Sequence, residues 1–489
     1  MSGDARELAT LATRLEAEGL LLERRGGAAR IGGVADDSRR VAPGDLFCAW
    51  AGSLADAHDY VPAAVAAGAA AVLVERASDT PVPQLVVRDG RRAAATVAAA
   101  FYGDPAERLR VVGVTGTNGK TSTVWVLRHL LEGRWPTATI GTLGAFGRSG
   151  PMEGASLTTP GPVELARTLR VLVDQGVAAV AMEVSSHALH QGRVHAVRFD
   201  VGVFINLTRD HLDYHGTVEE YTAAKRLLVD HLKPEGTAVV NAQDPAWAGI
   251  PAAAPRALTF AIGTDTAADV TAARLDLGPA GSSFALVCAD GESPVQLPLV
   301  GRFNVENALG AAAACLALGF SRHEVADRLA GIPQVPGRLE RIAEAPCPIY
   351  RDYAHTPAAL AGVLEALRTL TPGRLLVVFG AGGDRDRGKR AEMGRVASAL
   401  ADLAIVTSDN PRTEDPAAIV DDITAGMSAG FERVVERRAA IRRALELAGP
   451  EDVILLAGKG HETYQIVGTE KRPFDERDVV AELTAARGA

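Results

Sequence analysis

The residues best suited to chemistry form a short polar loop between an apolar run and an amphipathic segment. The run is residues 109–114, and the loop consists of Thr115, Gly116, Thr117, Asn118, Gly119, Lys120, Thr121 and Ser122. Its glycines let backbone N–H groups surround a phosphate, and the helix that follows adds the positive end of its dipole. Lys120 would reach the terminal phosphates, and Thr121 is the hydroxyl we expect on Mg²⁺. The sequence therefore predicts a phosphate-binding loop, although Val114 replaces the first glycine of the general pattern. A strand-to-helix turn with a surface lysine is the alternative.

A carboxylate and a pair of hydroxyls follow this loop along the chain. Glu183 comes directly after the apolar run 177–182, and a carboxylate at the carboxyl end of a strand near a phosphate loop suits Mg²⁺. Thr158 and Thr159 carry hydroxyls that suit a phosphate or a carboxylate. Helix capping is the alternative for both features, by Glu183 at a helix start and by Thr159 ahead of Pro160.

Lys225 falls on the apolar face of a predicted helix. Thr217 and Glu220 form a capping-box pattern, so the helix is expected to begin here and to run to about residue 232. A period of 3.6 residues places Lys225 on one face with Val218, Tyr221, Val229 and Leu232. Such a lysine either extends its amine to solvent or has a function. Burial favours the neutral amine, which is the form that reacts with CO₂ to give a carbamate.

Three polar clusters follow apolar runs in the last third of the chain. The runs are residues 375–379, 403–406 and 453–456, and the clusters contain Arg385, then Asp409, Asn410, Pro411 and Arg412, then Gly458 and Glu462. The carboxyl ends of strands in an open parallel sheet line one crevice, so we expect these clusters to converge. A structural turn is the alternative for any one of them. Because a guanidinium binds a carboxylate through paired hydrogen bonds, Arg412 with Arg385 suits an amino acid that bears an extra carboxylate.

Length and patterning predict an α/β protein of three domains. A chain of 489 residues exceeds what one hydrophobic core usually supports, and short apolar strands alternate with helical patterns. We expect a small α/β domain over residues 1–105, a central P-loop mononucleotide-binding domain with a parallel sheet over 106–335, and a Rossmann-like domain over 336–489. The second boundary lies at a turn of prolines and glycine at 333–337.

Composition excludes several classes of protein. The formal net charge of −9 argues against nucleic-acid binding, and the four distant cysteines argue against a zinc site or a disulfide framework. The charged first residues lack the apolar segment of an export signal, and no apolar run is long enough to span a bilayer. We therefore expect a cytoplasmic monomer without membrane insertion.

Several motifs resemble those of the Mur ligase family of amide-forming synthetases. They are TGTNGKT from Thr115, DSR…GDLF from Asp37, MEVSSH…QxR from Met182, RDHLDYHG…Y..AK from Arg209, PGR from Pro336, DYAHTP from Asp352 and DNPR from Asp409. Together these motifs extend over most of the chain. The resemblance also includes the related folylpolyglutamate synthetases, which carry the same phosphate loop.

The resemblance implies ligand contacts that residue spacing alone does not. For ATP it implies Asn304 and Asn307 beside the adenine, and Arg338, Asp352 and His355 elsewhere on the nucleotide. For the UDP-linked substrate it implies, besides Thr158 and Thr159, a set consisting of Ser38, Ser53, Leu54, Ala55, Ser185, Gln191 and Arg193. It also implies that His211 lies near one Mg²⁺ and that Lys225, as N6-carboxylysine, binds a second.

The resemblance also implies a reaction and its substrates. The expected enzyme is an ATP-dependent acid–amino-acid ligase of peptidoglycan precursor synthesis, in which an acyl phosphate is attacked by an amine. DNPR is typical of members that add meso-2,6-diaminopimelate to UDP-N-acetylmuramoyl-L-alanyl-D-glutamate, with Gly458 and Glu462 at the far end of the added amino acid. A lysine-adding ligase, a folylpolyglutamate synthetase and a P-loop ATPase that consumes no amine are the alternatives.

Overall fold

The computed structural model describes residues 5–52, 55–152, 157–265 and 267–485. By its internal contacts the chain divides into two units. The first contains Met1–Phe260 and Gly310–Ser321, and the second contains Ala261–Leu309 and Arg322–Ala489.

The amino-terminal part of the first unit is a five-stranded sheet with helices. Its elements are β1 (Arg6–Glu7), α1 (Leu8–Ala17), β2 (Leu21–Arg25), β3 (Arg30–Ile31), β4 (Gly33–Ala35), β5 (Asp45–Cys48), α2 (Val61–Ala66), β6 (Ala71–Val74), β7 (Gln84–Val87) and α3 (Gly90–Phe101). The strand order is β2-β7-β6-β5-β4, with β4 to β7 parallel and β2 antiparallel to β7. Apolar side chains of α1 and α3 pack with those of this sheet in one core.

A larger sheet follows in the same unit. Its elements are β8 (Arg110–Thr115), α4 (Lys120–Leu131), β9 (Thr137–Gly141), β10 (Gly144–Gly147), β11 (Gly150–Met152), α5 (Pro162–Asp174), β12 (Ala179–Glu183), α6 (Ser186–His190), β13 (Phe199–Phe204), α7 (Leu212–His215), α8 (Val218–Arg226), β14 (Leu232–Asn241), α9 (Ile250–Ala253) and β15 (Arg256–Ile262). Strands β9, β12, β8, β13, β14 and β15 are parallel neighbours in that order. The carboxyl ends of β8, β12 and β13 are therefore adjacent, which brings the loops that follow them to one edge.

The second unit begins with three antiparallel strands and continues with a mainly parallel sheet. The elements are β16 (Val270–Gly278), β17 (Gly281–Cys288), β18 (Gly291–Leu297), α10 (Arg302–Ala317, of which residues 310–317 belong to the first unit), α11 (Arg322–Leu329), β19 (Glu340–Ala343), β20 (Ile349–Asp352), α12 (Pro357–Arg368), β21 (Leu375–Phe379), α13 (Gly388–Leu400), β22 (Leu403–Val406), α14 (Pro416–Thr424), β23 (Phe431–Arg433), α15 (Arg437–Leu447), β24 (Val453–Ala457), β25 (Tyr464–Val467), β26 (Glu470–Pro473) and α16 (Glu476–Ala485). The later sheet has the order β19-β20-β24-β21-β22-β23, and only β19 runs antiparallel to its neighbour. Buried apolar side chains cover both faces of this sheet.

The prediction of an α/β fold with parallel sheets is confirmed. The prediction for the helix that carries Lys225 is wrong in two details. It ends at Arg226 and continues as a 3-10 turn over Leu227–His231, and Val218 is 38% exposed. Val218 lies in the first turn, where side chains tilt beyond the amino end of the helix and so miss the layer below.

None of the helices in the described ranges combines the length and the apolar content needed to cross a membrane.

Candidate active site

The phosphate-loop residues connect the carboxyl end of β8 to the amino end of α4. Gly119 precedes α4 with a φ of +85°, a left-handed conformation that glycine adopts without strain. The backbone N–H groups of Thr117 and Asn118 donate to the backbone oxygen and the side-chain oxygen of Asn206, at 2.8 and 2.9 Å. Asn206, the second residue after β13, therefore fixes the shape of the loop.

Lys120 folds back over this loop. Its Nζ donates to the carbonyl oxygens of Gly116 at 2.8 Å and of Thr117 at 2.9 Å. The interpretation as a lysine that merely extends from a turn into solvent is therefore wrong. In this position the ammonium is next to the backbone groups that would surround a phosphate.

Lys225 is almost fully buried beside the same loop. It is 1% exposed, its Nζ donates to the Gly116 carbonyl at 2.7 Å, and the Tyr221 ring centroid lies 4.6 Å from Nζ. Burial, together with the nearby Lys120 ammonium, lowers the pKa of Lys225 well below its usual value. The alternative in which the amine extends to solvent is wrong, because the amine ends against the backbone of the phosphate loop.

His211 lies in a group of aromatic and imidazole rings next to Lys225. Its ring centroid is 4.9 Å from that of His187, and its Nε2 is 3.4 Å from the carboxylate of Asp210. Burial is the main reason that the pKa of His211 is lowered and that the pKa of His187 falls to about 4. The imidazoles are therefore neutral at pH 7, which is the form that coordinates metal ions.

Glu183 ends β12 as a buried carboxylate that is 1% exposed. It accepts hydrogen bonds from the backbone N–H of Thr142 at 2.8 Å and from the Thr142 hydroxyl at 3.1 Å. The helix that follows is capped by Ser185, whose hydroxyl accepts from the Ala188 N–H. The capping alternative for Glu183 is therefore wrong.

Thr158 and Thr159 connect to the other residues implied for the UDP-linked substrate. The Thr159 hydroxyl donates to the Glu183 carbonyl at 2.8 Å and accepts from the Ser185 N–H at 3.0 Å. The cap of α5 is Gly161, so the capping alternative for Thr159 is also wrong. The hydroxyl oxygen of Thr158 lies 3.1 Å from the hydroxyl oxygen of Thr142.

Arg193 and Gln191 extend this hydrogen-bonded set. The Arg193 guanidinium donates to the Thr159 carbonyl at 3.0 Å and, through Nε and Nη2, to the side-chain oxygen of Gln191 at 3.0 and 2.7 Å. The amide of Gln191 donates in turn to the Tyr214 hydroxyl at 3.0 Å. The structure thus brings Thr158, Thr159, Glu183, Ser185, Gln191 and Arg193 together in one network.

The residues implied for the UDP group are described only in part. Ser38 begins a 3-10 turn over Ser38–Arg40 that is capped by the Asp37 carboxylate. Ala55 is exposed and accepts a backbone hydrogen bond from Gly52. Ser53 and Leu54 lie outside the described residues.

The residues implied for the rest of the nucleotide lie in the second unit. Helix α10 begins at Arg302, so Asn304 is inside the helix and its Nδ2 donates to the Val300 carbonyl at 2.9 Å. Asn304 therefore does not cap this helix. Asn307 donates to the Asn304 side-chain oxygen at 3.5 Å.

The motif residues around β20 form a second part of that set. The Asp352 carboxylate accepts from the N–H groups of Leu339 and Ala354, and burial raises its pKa. Arg338 lies 4.7 Å from the Tyr353 ring centroid, and His355 Nδ1 is 2.7 Å from the Tyr353 carbonyl.

The clusters after β22 and β24 converge in the second unit. Asn410 Nδ2 donates to Glu462 Oε2 at 2.8 Å. Gly458 has a φ of +111°, and a Cβ added there would lie 3.0 Å from Oδ2 of Asp409. Residues 409–412 and 458–462 therefore form one acidic and amide-rich group of side chains, largely buried, at the ends of two strands.

Two arginines belong to this group of side chains, Arg385 in the loop after β21 and Arg412 in the loop after β22. Arg412 adopts a left-handed conformation with a φ of +51°, and its Nη1 donates to the Gly383 carbonyl at 2.7 Å. A Cβ added to Gly382 would lie 3.0 Å from Nη1 of Arg412 and 3.6 Å from Cγ of Arg385. Both arginines therefore lie against the same glycine. Pro411 is buried directly before Arg412.

The residues expected on Mg²⁺ are Thr121, Glu183, His211 and Lys225. Across the described part of the chain, no group of three or more His, Cys, Asp or Glu side chains is arranged to hold a metal ion by itself. Glu183 nevertheless fits a cation. Its carboxylate is buried, accepts only from the neutral Thr142, and forms no ion pair with any described residue. A hard divalent cation with oxygen ligands would compensate such a charge.

Sequence reasoning missed several residues that support these sites. Thr142 carried no recognisable signal, and Tyr221 was placed on the helix face of Lys225 without a role of its own. Asn206 lies just after the apolar run that ends at residue 205, and Lys459 lies between Gly458 and Glu462, but neither was assigned a role. Position directly after a strand was the available signal for both.

Comparisons with known proteins show which family this chain belongs to. The chain matches models described as the Mur ligase family catalytic domain over residues 30–111, the Mur ligase middle domain over 114–315 and the Mur ligase glutamate ligase domain over 337–460. It is 47% identical to the UDP-N-acetylmuramoyl-L-alanyl-D-glutamate–2,6-diaminopimelate ligase of Geobacillus kaustophilus, over 92% of this chain and 94% of that protein. It is 46% identical to the ligase of the same name from Geobacillus thermodenitrificans, over 93% and 95%. A solved structure of a ligase of that name superposes with a TM-score of 0.67 at 34% identity, covering 94% of this chain and 96% of the other.

Proposed function

The chain belongs to the Mur ligase family, and from that premise we propose that it adds meso-2,6-diaminopimelate to UDP-N-acetylmuramoyl-L-alanyl-D-glutamate at the expense of ATP. The product is an amide-linked peptidoglycan precursor. The names of its relatives support both substrates. The reaction class is the formation of an amide from a carboxylate and an amine.

One observation carries the choice of amine. The Arg412 and Arg385 side chains lie against Gly382 in the second unit, and the same loops carry Asp409, Asn410 and Glu462. The far end of diaminopimelate bears one ammonium and one carboxylate. The Arg412 guanidinium suits that carboxylate, with Arg385 in the neighbouring loop, and the acidic and amide side chains suit that ammonium. An amino acid with a lone distal ammonium gives these arginines no carboxylate to bind.

The first unit supplies the groups for activating the substrate. Backbone N–H groups of residues 119–122 at the amino end of α4 suit the ATP phosphates, and Lys120 spreads the charge that develops as the γ-phosphoryl group moves to the substrate carboxylate. Thr158, Thr159, Ser185, Gln191 and Arg193 hold and orient the muramoyl-dipeptide. Mg²⁺, bound by Thr121, Glu183 and His211, would supply further neutralisation of phosphate charge. No side-chain nucleophile is required, because positioning and charge neutralisation account for the reaction.

Lys225 is proposed to act as a carbamate. Burial lowers the pKa of this amine and so favours its neutral form, whose nitrogen can form a bond to the carbon of CO₂ with release of one proton to solvent. The product is an anionic, carboxylate-like oxygen ligand at a position where the unmodified side chain carries no such ligand. The buried position beside the Gly116 carbonyl supports this modification, because it removes the cation's access to water.

Phosphate release distinguishes this function from its alternatives. The purified protein is given the muramoyl-dipeptide, ATP and Mg²⁺ with no amine, L-lysine, meso-diaminopimelate, or, in a separate arm, glutamate with a folate in place of the dipeptide. We expect release only with diaminopimelate. Release with lysine alone would assign a lysine-adding ligase, and release in the folate arm a folylpolyglutamate synthetase. Release without any amine would assign an ATPase.

A further inference from the structure

Lys459 is a fully buried lysine among the residues proposed to hold the far end of diaminopimelate. It is 0% exposed. Its Nζ lies 3.4 Å from Asp409 Oδ1, 3.2 Å from Asn410 Oδ1 and 3.2 Å from Glu462 Oε2. An ammonium donates at most three hydrogen bonds, so these three oxygens account for all of its donors. Lys459 thus links the loop after β22 to the loop after β24.

The backbone beneath this lysine is also held in place. Arg437 is buried, and its guanidinium donates to the carbonyls of Ser408 at 3.3 Å and Ala457 at 2.9 Å, the residues just before Asp409 and Gly458. The loops that carry the partners of Lys459 therefore start from anchored strand ends. Because the backbone at both strand ends is held in this way, the side-chain oxygens of Asp409 and Glu462 are the groups whose direction depends on Nζ.

We propose that Lys459 is a positioning residue that makes the site select an amino acid with a zwitterionic far end over one that ends in a lone ammonium. The proposal rests on the function proposed above and deepens it. Lys459 does not contact the reacting atoms. It acts through Glu462 and Asp409, by fixing the direction of their oxygens and by compensating their charge.

The charge balance explains the selection. Asp409 and Glu462 carry two negative charges, and Lys459 already offsets one of them. With Arg385 and Arg412 included, the set carries one surplus positive charge. A distal ammonium–carboxylate pair brings no net charge to this set, but a lone ammonium brings a second surplus positive charge. Because the set is partly desolvated, that difference is screened less than it would be in water.

The test compares Lys459→Met with wild type. Methionine keeps the length of the side chain and removes its charge. The matched control is Lys471→Met, because both lysines lie near the ring of Tyr464 but Lys471 is exposed. The Nζ atom of Lys471 is 4.3 Å from the ring centroid, and that of Lys459 is 6.0 Å from it. Four quantities are measured for each protein: the KM for diaminopimelate, the inhibition constant of L-lysine against diaminopimelate, the KM for ATP and the melting temperature.

For Lys459→Met we expect the ratio of the lysine inhibition constant to the diaminopimelate KM to fall at least tenfold. The KM for ATP should stay within twofold of wild type, and Lys471→Met should match wild type in all four quantities. An unchanged ratio would overturn the proposal. An equal rise in the KM for ATP and for diaminopimelate would also overturn it, because that result indicates general distortion.

A second pair of variants keeps the test decisive if Lys459→Met does not fold. Glu462→Gln is compared with Lys459→Met/Glu462→Gln, which removes both members of one ion pair and leaves Asp409 as the single carboxylate that loses its cation. We expect the ratio of the lysine inhibition constant to the diaminopimelate KM to be at least tenfold lower in the double variant than in Glu462→Gln. Equal ratios in the two variants would contradict the proposal. A wild-type protein that uses no diaminopimelate would instead refute the proposed function, so the two failures are distinguishable.

Discussion

Arg412→Ala is the perturbation that tests the assigned specificity most directly. In the folded protein the Arg412 N–H donates to the Ile466 carbonyl at 3.1 Å, and its Nη1 donates to the Gly383 carbonyl at 2.7 Å. The backbone is left-handed, with a φ of +51°. Alanine has a Cβ as arginine does, so the backbone strain at this position is the same in both proteins. The variant therefore removes the guanidinium without changing that strain.

The expected loss follows from the chemistry of the lost contact. A hydrogen bond to a charged group contributes about 1.5–3 kcal/mol. If Arg412 binds the distal carboxylate, the KM for diaminopimelate should rise by roughly 10- to 150-fold. The lost contact to the Gly383 carbonyl should lower the free energy of unfolding by only about 1 kcal/mol. Binding should thus suffer much more than stability.

The assay measures phosphate release at varied diaminopimelate, ATP and muramoyl-dipeptide. Arg387→Ala is the control, because Arg387 is an exposed arginine directly before α13, in the loop that also carries Gly383. Its partner Glu414 remains paired with Arg390 in this variant. Its KM values should match wild type within about twofold, as expected for an exposed ion pair. An unchanged KM for diaminopimelate in Arg412→Ala, or an equal rise for ATP, would refute the assignment of Arg412 to the amino acid.

Three further predictions concern other parts of the chain. Lys225→Ala should lower kcat by about 100-fold or more. Added formate or acetate should restore part of the activity, because a small carboxylate can replace the carbamate. Full activity in the alanine variant would contradict the proposed modification. Arg437→Met should lower the free energy of unfolding, measured in urea, by about 3–5 kcal/mol, because it leaves the Glu476 carboxylate buried without its partner. The double variant Arg437→Met/Glu476→Leu should lower it much less. An equal decrease in both variants would contradict the idea that the unpaired Glu476 charge causes the loss. Burial and nearby arginines lower the pKa of His461 to about 4. Between pH 6.5 and about 4 the unfolded chain therefore binds a proton that the folded chain does not. The free energy of unfolding should thus fall as the pH falls through that window. Urea unfolding of His461→Asn should show a shallower decrease over that range, and an identical decrease would refute this account.

Local chemistry in the sequence was sufficient for the elements and for the position of the phosphate loop. The strands before the three carboxyl-terminal clusters were readable because an apolar run bounded by turn residues is a local signal. The cap by Thr217, whose hydroxyl accepts from the Glu220 N–H at 3.1 Å, was readable for the same reason. The convergence of the polar clusters followed from the general geometry of parallel sheets.

The choice between alternatives was made only by contacts between residues distant in the chain. Helical periodicity placed Lys225 on an apolar face, but it could not show whether the amine reached solvent. The Gly116 carbonyl, 109 positions away, accepts that amine in the folded chain. Thr159 suited a helix cap as well as it suited a binding site until the carbonyl of Glu183 was found beside its hydroxyl.

The sequence by itself thus determined the α/β class, the phosphate loop, the family and the residues that follow each strand, because these depend on local pattern and spacing. Only the tertiary structure decided which polar groups are buried and which oxygens they meet. Val218 is exposed and Lys225 is buried although one periodicity describes both, and Lys459 meets Asp409 across 50 positions. The physical reason is that desolvation and hydrogen bonding depend on the packing of whole elements, which no local window of sequence contains.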